Sequence, residues 1–188
     1  MKNLIFALAM AAAMGASAEM KVGTVDLMLL VRNHPNYESN KTLLTSTDKD
    51  YQKKVEAIKS EGDKLQEEGK KLAEQLRNPM LTAKAKTDVE NQLMDIQKKL
   101  MGIEQHYRSE AMRCRQDLQD LEGRLLKTTT DDLRKRIAKF AEANGYDFIL
   151  DVNAAPYSKA SYNVTDALLK EMGVDPKTAR GREKDEGK

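Results

Sequence analysis

Residues 51–76 read YQKKVEAIKSEGDKLQEEGKKLAEQL, and residues 89–125 read VENQLMDIQKKLMGIEQHYRSEAMRCRQDLQDLEGRL. In the first stretch Tyr51, Ile58, Leu65 and Leu72 recur every seven residues, and Val55, Gly62, Gly69 and Leu76 follow each by four. That 4-3-4-3 spacing is the stripe of a coiled coil. Nearly everything between the stripes is charged or amide. The second stretch repeats the design through Val89, Leu93, Ile96, Leu100, Ile103 and Tyr107, then Ala111, Cys114, Leu118, Leu121 and Leu125. Two successive steps of four, Ile103-Tyr107-Ala111, make a stutter that locally unwinds a supercoil. Leu125-Thr129-Leu133 steps by fours again and carries the stripe on to Ile137 and Phe140.

Between Glu38 and Asn144 the one proline is Pro79. The spacing therefore predicts an antiparallel helical hairpin over 38–144, folded back at a tip at 78–82, with Thr82 capping the second arm. An arm of about 40 residues is roughly 60 Å long, about twice the width of a small domain. Helices this polar need a partner, so the two stripes bury each other. Acid-first pairs at i,i+4, Asp50/Lys54 and Glu67/Lys71, support the first arm. Gly62 and Gly69 each cost about 1 kcal/mol relative to alanine in a helix interior. They mark either close approach of the partner helix or a flexible point, and a bend is expected there.

The chain opens with Lys2, an apolar run from Leu4 to Met14, and Ala16-Ser17-Ala18. These features define a secretory signal peptide over 1–18, cleaved after Ala18. The run is too short to span a bilayer. The remaining protein is expected to be soluble and exported. Loss of Lys2 turns 32 basic residues into 31 against 30 acidic ones, so the balance is near neutral. The charges alternate in sign along the arms, which argues against nucleic acid as a partner. Cys114 is the single cysteine, so no internal disulfide forms, and its expected role is a small buried hydrophobe. With no Trp and 33% charged residues, the composition suits long solvated helices rather than a large core.

The two ends of the chain, 19–37 and 145–174, predict a small β-rich body. A strand is expected over Met20–Asp26, then one or two helical turns over Leu27–Val31. These stop before His34-Pro35, because a residue preceding proline avoids the helical region. Asn36 or Ser39 is expected to cap the first arm. Gly145 ends the second arm with a left-handed cap. Tyr146–Val152 reads as a strand, the residues around Tyr157 as a short edge strand, and Asp166–Met172 as a helix capped by Asn163 or Thr165 and closed by Gly173. The tail, 175–188, reads as disordered. The fold class is α+β: a long antiparallel coiled-coil hairpin projecting from a small β-sheet body. Two or three short strands bury too little surface to stand alone, so self-association is expected.

Val25-Asp26-Leu27, Gly145-Tyr146-Asp147-Phe148-Ile149-Leu150-Asp151, Tyr157 and Val164-Thr165-Asp166-Ala167-Leu168-Leu169 resemble the Skp (OmpH-like) family of periplasmic chaperones. The resemblance extends to about Met172. It implies a jellyfish-like homotrimer in the periplasm, with a shared β body and hairpins as tentacles around a cavity. It implies a holdase that keeps unfolded outer-membrane β-barrel proteins from aggregating, without ATP. Within that picture Val22, Val25, Phe148, Ile149, Leu150 and Val152 are the candidate trimerisation residues. Met80, Leu81, Lys84, Lys86, Met94 and Met101 are the candidate client contacts, and peripheral contact with a membrane surface fits as well. Family members are often strongly basic and this chain is nearly neutral, so no lipid-binding residues are carried over.

For catalysis the sequence offers nothing specific. His34 and His106 are the two histidines, and His106 with Glu110 at i,i+4 makes only half a metal site. No phosphate loop and no nucleophile–histidine–acid pattern is present, so no enzyme activity, metal or cofactor is expected. Met80, Met94, Met101 and Met112 sit on or near the arms, where methionine suits varied apolar surfaces. For any one of them the ordinary role is filling the seam. The alternative to a holdase is a structural or adaptor coiled coil of the envelope with one specific partner and a regular seam.

Overall fold

The computed structural model describes residues 20–180. The signal peptide expected over 1–18, and the end of the tail, lie outside the described residues. The elements are β1 (Val22–Val25), α1 (Leu27–Arg32), α2 (Tyr37–Leu76), α3 (Ala83–Asn144), β2 (Phe148–Asp151) and α4 (Thr165–Glu171), with single 3-10 turns at Val152–Ala154 and Ala160–Tyr162. They form two compact units. One runs Met28–Lys135, and the other joins the chain up to Leu27 with Arg136 onward.

The first unit holds α2 and α3 as far as Lys135. α2 has 40 residues and α3 has 62, and α3 is unbroken through the threonine-rich run at 128–130. There Thr128 and Thr130 turn their hydroxyls back onto the carbonyls of Arg124 and Leu126, which spares them from competing with the helix. At the tip Asn78 Oδ1 accepts from the Met80 N–H at 3.0 Å, an Asx turn that reverses the chain at Pro79. Thr82 Oγ1 accepts from the Ala85 N–H at 3.3 Å, the expected cap. At the other end Asn36 occupies the cap position but its side chain makes no capping bond, and the Ser39 hydroxyl donates back to Asn36 O. The free N–H groups there are met by the preceding turn instead, with Tyr37 N–H donating to His34 O at 2.9 Å.

Gly62 and Gly69 sit in the seam, and the helix runs through both without interruption. A Cβ on Gly62 would lie 3.3 Å from Ile103 Cγ2, and one on Gly69 3.4 Å from Ile96 Cγ2. The partner helix comes closer than ordinary contact at Gly62 and to ordinary contact at Gly69. The expected acid-first pairs differ in detail. Asp50 meets Lys53 at 3.6 Å and Glu67 meets Lys70 at 2.6 Å, both at i,i+3, and Lys54 crosses to α3.

The second unit holds a two-stranded parallel sheet. Val22 pairs with Phe148, Gly23 with Ile149, Thr24 with Leu150 and Val25 with Asp151. Gly145 has φ +67°, and the Tyr146 N–H reaches back to Ala141 O at 2.9 Å, the left-handed close expected of this glycine. Tyr146 then stacks on Phe140, with ring centroids 5.9 Å apart, and lies over Gly23, where a Cβ would come within 3.2 Å of the ring. Asp147 Oδ2 accepts from the Lys21 N–H at 2.7 Å. Each polar or glycine position of the Gly145–Asp151 segment thus has a local task, ending with Asp151, whose carboxylate takes the Asn153 N–H at 3.0 Å. That bond draws the chain into a 3-10 turn. The edge strand expected around Tyr157 is not formed, and Tyr157 is exposed coil. A single bridge from Asn163 to Thr24 lies beside β1 instead.

α4 is close to expectation. Asn163 Oδ1 accepts from the Thr165 N–H at 2.9 Å, and Gly173 closes the helix with φ +77°. The tail from Asp175 differs from expectation: residues 176–180 are helical, Ala179 is buried, and Arg180 meets Asp166 at 2.6 Å. Pro176 at the first helical position starts that turn.

Candidate functional site

The hairpin seam and the hairpin's outer surface divide the apolar residues of the first unit into two sets. Ile58 on α2 and Val89, Ile96, Cys114 and Leu133 on α3 are buried. The contacts across the seam pair rising numbers on α2 with falling numbers on α3. His34 Nε2 meets Asp132 Oδ2 at 3.0 Å, Asn40 Nδ2 meets Thr129 Oγ1 at 3.4 Å, Lys54 meets Glu110, Gly62 faces Ile103 and Gly69 faces Ile96. One register therefore holds from the open end to the tip.

Glu110 is the residue the stripe did not reveal. It is buried, and its carboxylate is held by Lys54 from α2 and by Arg113 at 3.1 Å from its own helix. The Lys54 hydrogen bond is the chief reason its carboxyl stays ionised to lower pH than an ordinary glutamate, and the Arg113, Lys54 and His106 charges add to it. The signal was present: Glu110 lies seven residues after Ile103. Tyr107, expected in the seam, is instead exposed. Cys114 packs beside the Glu110 carboxylate, with Sγ 3.8 Å from Oε1, and burial and that carboxylate push its thiol pKa up. His106 is exposed and takes no part with Glu110 in a ligand set. Beside this cluster Tyr51, Val55, Ala111, Cys114 and Leu118 help line an open groove of about 970 Å³.

The outer surface carries the methionines. Met80 is 87% exposed at the tip, and Met94, Met101 and Met112 on α3 are 53%, 61% and 74% exposed. The ordinary seam-filling role is overturned for all four. On a helix the spacings of seven and eleven bring 94, 101 and 112 to within about 20° of one another, roughly 140° around from the buried stripe. Lys84 and Lys86 are exposed in the first turn of α3, and Leu81 is half-buried. The sequence-named contacts thus fall in two places, the tip and one face of α3.

The strand residues behave differently. Val25 is buried within its own chain, and Val22, Ile149 and Val152 are half-buried. Phe148 and Leu150 are exposed side by side on β2, on the same face of the strand. Among the described residues β2 has β1 as its single strand neighbour.

A two-helix hairpin with a charged surface and a hidden apolar stripe, joined with a unit in which the chain's two ends share one parallel sheet, defines the class: α+β, with a coiled-coil arm. Comparison with known families carries this further. The profile described as outer membrane protein (OmpH-like) matches residues 21–172, and the chain belongs to that family. A curated protein of Photorhabdus laumondii subsp. laumondii, named chaperone protein Skp, is 24% identical over 180 residues, covering 92% of this chain and 99% of the relative.

Proposed function

We propose that this protein is an ATP-independent holdase of the periplasm that shields unfolded outer-membrane β-barrel proteins from aggregation. The observation that carries the reading is the exposed methionine set. Met94, Met101 and Met112 line one face of α3, and Met80 stands at the tip. Thioether side chains are flexible and polarisable, so they adapt to many apolar sequences without selecting one. Scattered between charged residues, they offer contacts of about 1 kcal/mol each, strong together and weak singly. A client is held by several at once and released without fuel. Lys84, Lys86 and Leu81 beside Met80 extend the contact set to the tip. Membership of a family that includes a protein named as a chaperone supports the same reading.

Holding a chain between arms takes more than one copy. Exposed Phe148 and Leu150 on β2 supply an apolar surface for a second copy, with Val22, Ile149 and Val152 behind them. The family resemblance supports a homotrimer. The test is light scattering of a urea-diluted outer-membrane β-barrel with and without this protein. Suppression at a modest excess of trimer is expected, and full aggregation at every ratio defeats the reading.

The close fit at Gly62 and Gly69 favours a second reading, an adaptor coiled coil of the envelope, since that role calls for a regular seam. A pull-down yielding one stoichiometric partner, with no effect on aggregation, decides for it.

A further inference from the structure

We propose that Met94, Met101 and Met112 are an oxidation site, and that their conversion to sulfoxides switches the holding surface off while leaving the hairpin folded. The proposal rests on the holdase reading above. The three thioethers lie on the solvent side of α3, where a small oxidant reaches them without any opening of the seam. Met101 and Met112 line a shallow depression with Glu104, Gln105, Arg108 and Ser109, and both side chains are exposed. The competing sulfur is protected: Cys114 is buried, and burial together with Glu110 keeps it as the unreactive thiol.

The oxidant is hypochlorous acid. The thioether sulfur attacks chlorine and hydroxide leaves; water then adds to the chlorosulfonium sulfur as chloride and protons depart. The net change converts thioether and hypochlorous acid into sulfoxide and hydrogen chloride, with sulfur losing two electrons and chlorine gaining them. Each sulfoxide replaces an apolar, adaptable tip with a polar, chiral one. The row then loses the property that lets it hold unfolded apolar segments. A sulfoxide reductase reverses the change. Because none of the three residues is in the seam, the register contacts from His34–Asp132 to Gly69–Ile96 are untouched.

The experiment treats the purified protein with graded hypochlorous acid. It maps sulfoxides by mass spectrometry, follows helicity by circular dichroism, and measures suppression of β-barrel aggregation. Sulfoxides are expected at 94, 101 and 112 ahead of the half-buried Met172. Helicity is expected to be unchanged, and client affinity to fall on the order of a hundredfold as three apolar contacts of about 1 kcal/mol each become polar. Reductase treatment restores it, and whatever holding the Met94→Leu/Met101→Leu/Met112→Leu variant shows is expected to fall far less on oxidation than that of the native protein. Full sulfoxidation without loss of holding overturns the proposal, as does an equal loss in the triple variant, where Met20, Met28 and Met80 still oxidise. If the untreated protein holds no client, the holdase reading fails, and the sulfoxide map alone then decides the site: no preference for 94, 101 and 112 over the half-buried Met172 removes it.

Discussion

Glu110 of α3 lies buried against Lys54 of α2, a charge-to-charge contact midway along the seam. Such a pair fixes alignment more than it adds stability, because both groups give up water to meet. Removing one partner leaves a charge with less compensation. Lys54→Met is therefore expected to lower the melting temperature, and Lys54→Met/Glu110→Leu to recover the loss or exceed it. Thermal unfolding by circular dichroism reads both. An unchanged single variant means that Arg113 suffices to hold the carboxylate.

The same carboxylate gives the hairpin an acid limit. Its pKa is lowered in the folded state, so the unfolded chain binds the proton more tightly. The contribution is present in full above the ordinary glutamate value of about 4.3 and disappears as pH falls through the folded value. As pH falls below the ordinary glutamate value of about 4.3, the melting temperature of the native protein is expected to drop more steeply than that of Glu110→Gln. Equal slopes exclude Glu110 as a source of acid sensitivity.

The hairpin was legible because a seven-residue repeat and a single proline leave little choice of architecture. Glu110 was hidden because a search for apolar periodicity passes over charges, even one at the right spacing with a lysine opposite. Tyr157 misled because tyrosine is itself a β-former and a proline before it is tolerated on an edge strand, but Asp151 captures the Asn153 N–H and turns the chain first. The turn at 176–180 was masked by the polar composition around Ala179. The methionine row was visible as composition, but its face emerges only once the seam is placed. Gly145 and Gly173 were read directly, since a left-handed helix close admits few other residues.

Gly69→Ala is expected to stabilise the hairpin. The new methyl meets Ile96 Cγ2 at 3.4 Å, ordinary contact, and alanine gains up to about 1 kcal/mol of helix propensity. Gly62→Ala gains less, because Ile103 at 3.3 Å must give way slightly. Urea unfolding monitored by helicity orders the variants as Gly69→Ala, Gly62→Ala, then native. A Gly69→Leu change forces the helices apart and reverses the sign.

Gly145→Ala is expected to destabilise by about 1–2 kcal/mol, because a Cβ is strained at φ +67°. The cost falls on the turn that delivers Tyr146 to Gly23 and Asp147 to Lys21. Urea unfolding measures it. Gly145→Asn, which tolerates the left-handed region, is expected to recover part of the loss.

Phe148 and Leu150 offer the sharpest test of association. Both are exposed on β2, while Val25, paired with Asp151 in the sheet, is buried in its own chain. Phe148→Ser/Leu150→Ser therefore removes no core contact of comparable depth, and the helical content of the isolated chain is expected to stay as it is. If copies meet through this strand, the double variant loses apolar area on every copy at once, and each serine forfeits roughly 1–2 kcal/mol of burial per interface. Native mass spectrometry is expected to show a trimer for the native protein and a single chain for the variant at the same concentration. A variant trimer as stable as the native one places the contact away from β2, and a native protein that runs as one chain removes the enclosed space on which holding by several arms depends.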